Sequence, residues 1–104
     1  MKAPARRVAF AALLLALAPA AWARTHTIVI EGMQFKPGEL TVKRGDRVVW
    51  VNRDVVPHTV KADATFESPA IAPDASWGTT VRSPGRRAYA CTLHPTMKAT
   101  LVVK

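Results

Sequence analysis

The stretch "ELTVKRGDRVVWVN", Glu39–Asn52, decides the fold. Val48 and Trp50 alternate with Val49 and Val51, which is the period of two that puts successive side chains on opposite faces of a strand. Lys43-Arg44-Gly45-Asp46 interrupts the alternation with turn chemistry, so the segment reads as strand, turn, strand. No 3.6-residue period runs through it.

The same grammar extends outward in both directions. "HTIVIEGMQF" (His26–Phe35) is rich in β-formers, and "HTVKA" (His58–Ala62) is expected to start a further strand. "SWGTTV" (Ser76–Val81) and "RRAYAC" (Arg86–Cys91) flank the turn "SPG" (Ser83–Gly85), and "ATLVVK" (Ala99–Lys104) closes the chain. Short runs bounded by Gly, Pro and Asp at regular intervals predict an all-β sandwich or barrel. The irregular segment "DATFESPAIAPDASW" (Asp63–Trp77) contains Pro69 and Pro73, which cannot donate to a ladder, and reads as a crossover anchored by Phe66, Ile71 and Trp77.

The first residues obey a different pattern. Lys2, Arg6 and Arg7 precede the apolar run "VAFAALLLALA" (Val8–Ala18), and "AWA" (Ala21–Ala23) supplies the small residues a signal peptidase reads. The expected organisation is a signal peptide, 1–23, cleaved after Ala23, and one domain, 24–104. The rival, an uncleaved anchor, needs about 20 apolar residues, and this run is shorter. The full chain carries 15 basic and 7 acidic residues. Removing three basic residues with the leader leaves 12 − 7, a charge of +5. The basic residues are scattered, which argues for a solvated surface and against nucleic acid.

An exported domain this small commonly needs disulfides or a metal to supplement its core. The chain has 1 cysteine, so an internal disulfide is impossible. A lone thiol there is a dimer link, a reactive group or a metal ligand. In "YACTLHPTMK" (Tyr89–Lys98), Cys91, His94 and Met97 follow one another at three-residue intervals on one loop. A thioether is a soft neutral donor that suits copper and not structural zinc, and two His, one Cys and a weak Met make a blue-copper set. The second histidine is either His26, near the presumed mature terminus, or His58, between Pro57 and a strand; His58 is the expected ligand.

These residues also carry a resemblance. "GMQFKPGELTVKRGDRVVWVNRDVVPHTV" (Gly32–Val60), "TFESPAIAPDASW" (Thr65–Trp77) and "YACTLHPTM" (Tyr89–Met97) resemble the cupredoxins, the type 1 blue copper family, nearer to its bacterial amicyanin-like members than to plastocyanin or azurin. The resemblance implies a Greek-key β-sandwich holding one copper ion, with His58, Cys91 and His94 as equatorial ligands and Met97 as the weak axial one. It places the Pro57 carbonyl on the opposite axial side and gives Asn52 the task of tying the His58 loop to the cysteine loop, at Thr92. Leu93, Thr96 and Arg87 depart from the pattern, at positions where such proteins carry Pro, Phe and an aromatic residue. Arg87 is expected to reach solvent or a carboxylate.

The implied function is a periplasmic carrier of single electrons between Cu(I) and Cu(II), and not an enzyme. His94 is the expected electron port. Leu93, Pro95 and Thr96, with Pro57, Met33 and Phe35, form the expected docking patch, with Lys36, Arg53 and Lys98 at its rim. The partners are redox proteins, a donor and an acceptor, that dock transiently on a monomer, with no stable membrane insertion. Copper delivery or storage is the alternative, although the chain has no Met- or His-rich tract. A copper enzyme would need more histidines than the 3 present.

Overall fold

A computed structural model describes residues 22–104; the signal-peptide reading of residues 1–21 lies outside the described residues. Nine strands, and no helix, are found among the described residues: β1 Thr25–Glu31, β2 Gln34–Lys36, β3 Glu39–Val42, β4 Arg47–Asn52, β5 Lys61–Ala62, β6 Phe66–Glu67, β7 Ser76–Thr80, β8 Gly85–Ala90 and β9 Lys98–Val103. They form two sheets, ordered β2-β1-β4-β7 and β3-β9-β8-β5-β6. The all-β sandwich expected from the period-two pattern is the observed architecture.

Alternation sorts each strand's residues between core and solvent. In β4, Val48, Trp50 and Asn52 are buried while Arg47 is exposed. In β9, Ala99, Leu101 and Val103 are buried. Trp50, with no exposed surface, is the centre of the core. Tyr89 meets it edge-on, ring centroids 5.6 Å apart at 83°, and Phe66 and Trp77 lie tilted against it at 5.4 and 5.8 Å.

The strand-turn-strand segment opens in an unexpected way. β3 and β4 belong to different sheets: β3 runs parallel to β9, and β4 parallel to β1. The turn between them is therefore a corner of the sandwich. Gly45 sits there at φ 91°, a conformation that costs a residue with a Cβ, and its N–H donates to the Val81 carbonyl at 2.7 Å. The strand expected from His58 is reduced to Lys61–Ala62, because His58 itself pairs in isolation with Ile71 of the crossover. Phe66 and Ile71 are buried anchors, as expected, and Trp77 is half-buried.

Candidate metal centre

Three connections meet at the pole where β4 and β8 end. The turn after β1 brings Gly32 and Met33, both at positive φ (63° and 59°). The end of β4 and the loop after it bring Asn52 to Thr59. The loop between β8 and β9 brings Cys91 to Met97. Asp54 joins the first two, accepting the N–H groups of Gly32 at 2.7 Å and Met33 at 3.0 Å. Thr59 joins the second and third, its Oγ1 accepting the Thr92 N–H at 2.8 Å.

His58, Cys91 and His94 come together: one ligand atom from each lies within 4.8 Å of the others. His58 Nδ1 is 3.8 Å and His94 Nδ1 3.6 Å from Cys91 Sγ. Their rings are 4.9 Å apart and tilted by 59°. His58 and Cys91 are buried and His94 is half-buried. The backbone fixes the cysteine loop: Cys91 N–H donates to the Met97 carbonyl and Met97 N–H to the His94 carbonyl. That tight closure follows from the short spacing, and it carries the Met97 side chain into the core, 4% exposed. His26, the rival histidine, stands elsewhere, against Asp46 at 2.8 Å.

Burial pushes the Cys91 thiol up, but the Thr59 N–H, the two imidazoles and the Thr59 hydroxyl outweigh it and bring the thiol down to about 6. Thr59 N–H lies 3.3 Å from Sγ and its hydroxyl 3.7 Å. A thiol that readily becomes thiolate, faced by two imidazole nitrogens, is a donor set that fits copper. A structural zinc site would need a fourth His or Cys ligand, and none stands in this cluster among the described residues.

Other expected residues take different places. Asn52 is fully buried, and its amide donates to the carbonyls of Val56 at 2.8 Å and Ile71 at 2.9 Å. Its Oδ1 accepts the Asp54 N–H at 2.9 Å. It thus braces the His58 loop from within, and the link to Thr92 expected of it is made by Thr59 instead. Pro57, Thr92, Leu93, Pro95 and Thr96 are exposed around the site. Met33, Phe35, Lys36, Thr96, Met97 and Lys98 line a shallow groove of about 380 Å³. Arg87 finds neither a carboxylate nor bulk water alone: it donates to the Thr65 hydroxyl and to the carbonyls of Ser83 and Pro84.

Two residues escaped the sequence reading. Asp54 Oδ2 lies 2.8 Å from His58 Nε2. Desolvation raises its carboxyl, yet the Met33 N–H, His58 and the Gly32 N–H prevail and hold it below the ordinary carboxylate range. Thr59 is the other. Both flank His58 closely in sequence, and a polar residue beside a candidate ligand is the available signal.

A family model for the cupredoxin-like domain matches residues 6–103. Amicyanin of Paracoccus denitrificans is 33% identical over 72% of this chain and 62% of its own length. Amicyanin-alpha of Methylorubrum extorquens is 30% identical over 74% of this chain and 70% of its own. The chain thus spans less than two thirds of the Paracoccus protein. A solved structure of amicyanin with a methionine-to-alanine substitution, in its Cu(I) form, superposes with a TM-score of 0.73 at 30% identity, covering 77% of this chain and 82% of that one. A second methionine-to-alanine variant, also Cu(I), superposes at 0.73 and 32% identity, over 83% and 86%. With its two-sheet sandwich and its His-Cys-His cluster at one pole, this chain belongs to the cupredoxin-like family, on its amicyanin side.

Proposed function

We propose that this chain is a periplasmic carrier of single electrons that binds one copper ion through His58 Nδ1, Cys91 Sγ and His94 Nδ1, with Met97 as a weak fourth ligand. One observation carries the reading: two Nδ1 atoms, on separate loops, face the same sulfur at 3.6 and 3.8 Å. A copper ion held by this set would supply one-electron chemistry between Cu(I) and Cu(II).

The protein's part is to hold the donors still. Asp54 takes the His58 Nε2–H, which leaves Nδ1 free to bind metal. Asn52 fixes the loop carrying His58, and Thr59 fixes the loop carrying Cys91. Donors held in place resist rearrangement when the charge at the centre changes, which favours fast transfer. His94, half-buried, provides the route to the surface. Around it the exposed Leu93, Pro95, Thr96 and Pro57 make a face for brief contact with redox proteins.

The visible spectrum of the Cu(II)-loaded protein tests this. An intense blue thiolate-to-copper band, absent in Cys91→Ala, is expected. A colourless protein with a preference for zinc sinks the proposal.

A further inference from the structure

At the end of β4 away from Asn52 lies a second polar cluster. Asp46 is 3% exposed. Its Oδ1 accepts the Arg24 backbone N–H at 3.0 Å, and its Oδ2 accepts the Lys43 N–H at 3.0 Å and faces His26 Nε2 at 2.8 Å. Arg24 is held on its other side too, its carbonyl accepting the Arg47 N–H at 2.8 Å. Just ahead of it, Trp22 is 82% exposed. The firmly held backbone thus begins one residue after the "AWA" signature.

Asp46 is a buried carboxylate whose closest donors are two neutral backbone amides and one imidazole. A buried charge gains most from a full opposite charge at hydrogen-bond distance. The flanking cations, Lys43 and Lys104 together with the Arg24 side chain, line an open cavity of about 550 Å³ beside it with His26. No side chain of these forms an ion pair with Asp46 except His26.

We infer that cleavage after Ala23 supplies that charge from the backbone. Hydrolysis of the Ala23–Arg24 amide by a signal endopeptidase adds water: Ala23 leaves with the leader as a carboxylate, and Arg24 N becomes an α-ammonium. The atom 3.0 Å from Asp46 Oδ1 is then cationic, with three hydrogens in place of one. Export processing replaces the neutral donor of a part-buried hydrogen bond by a cationic one and so makes it an ion pair that pins the start of β1 to the start of β4. The mature domain is therefore more stable than its precursor by a charge that does not exist before cleavage. The inference rests on the export part of the proposed function and is independent of copper.

Three forms of the chain test it: one beginning at Arg24, the same chain N-acetylated, and one beginning at Ala23. At pH 6 the Arg24 form is expected to melt on the order of 4–8 °C above the other two. An α-amino group titrates near pH 8 when unpaired. Pairing raises that value in the fold, so the gain is present below pH 8 and is lost as pH rises through the folded value. The gap between free and acetylated forms should close by about pH 10 and be absent at every pH in Asp46→Asn. Equal melting temperatures at pH 6, or a gap that survives in Asp46→Asn, overturn the inference. If Asp46→Asn does not fold, the acetylated form alone decides. The exported protein should have the intact mass of residues 24–104, and a mass beginning elsewhere also overturns it. The blue band should be the same in all three forms, so failure here is distinct from failure of the copper site.

Discussion

Asp54 Oδ2 stands 2.8 Å from His58 Nε2, on a carboxylate that also holds the N–H groups of Gly32 and Met33. An anionic acceptor at Nε2 favours the tautomer with its hydrogen there, which in the neutral ring leaves the lone pair on Nδ1, the nitrogen that faces Cys91. The same contact joins a fully buried ring to the turn carrying Met33, which is 43% exposed. The His58 ring is thus oriented by the protein alone.

Asp54→Ala should therefore leave His58 in a mixture of tautomers in the metal-free protein, read from imidazole nitrogen shifts in ¹⁵N NMR. It should also cost on the order of 2 kcal/mol of stability, since three donors lose one charged acceptor. Asp54→Asn, which keeps an oxygen acceptor, should recover most of the Nε2–H form. A single Nε2–H tautomer persisting in the alanine variant would show that the carboxylate does not set it.

Thr59 sits directly after His58 and reaches the other ligand loop. Its hydroxyl accepts the Thr92 N–H and lies 2.8 Å from the Thr92 hydroxyl, while its own N–H points at Cys91 Sγ. Thr59→Ala removes the link between loops but keeps the N–H to sulfur. A loss of about 1–2 kcal/mol is expected, with faster hydrogen exchange at the Thr92 amide and a broadened blue band in the copper form. Thr59→Ser should restore all three. An unchanged Thr92 exchange rate in the alanine variant would rule out this hydrogen bond as the tie.

How much of this was legible follows from what each signal encodes. The alternation in Arg47–Asn52 states which face of a strand is apolar, and Val48 and Trp50 are buried accordingly. It does not state which strand lies alongside, so the division of β3 and β4 between two sheets was not readable from it. Cys91, His94 and Met97 announce themselves because soft donors at short spacing have few other uses in a chain with one thiol. Thr59 does not, because its partner Thr92 lies 33 residues away and a threonine in a β-rich run needs no special reason. Asp54 is hidden in the same way: its acceptors' work is done for the Gly32 turn, 22 residues earlier. Asn52 is picked out by the resemblance, but its partners depend on how the crossover packs, and Ile71 comes there by pairing with His58 outside any regular strand.

Asn52 gives a third test. It has no exposed surface, and its two N–H groups and Oδ1 all serve backbone partners. Asn52→Leu, similar in size, leaves the Val56 carbonyl and Asp54 N–H short of a partner in a buried setting. A cost of about 3 kcal/mol is expected, and because the loop it braces holds His58, copper affinity should fall alongside stability. Destabilisation with unaltered copper affinity would separate the brace from the metal site.

Acid sensitivity should originate at the far pole, from Asp46. The Arg24 N–H, the Lys43 N–H and His26 lower its carboxyl from 3.8 to about 2, against the opposing effect of burial. A carboxyl whose value is depressed in the fold contributes stability that is fully present above its unfolded value. That contribution is lost as pH falls from about 4 toward 2. Asp46→Asn cannot titrate, so it should be less stable than the parent at pH 7 and should show a shallower decline between pH 4 and pH 2. The two stability curves, from urea unfolding at successive pH values, should converge at the acid end. Parallel curves across that interval would mean that the acid limb is set by other carboxylates, and that the Asp46 contacts, although short, do not favour its ionised form.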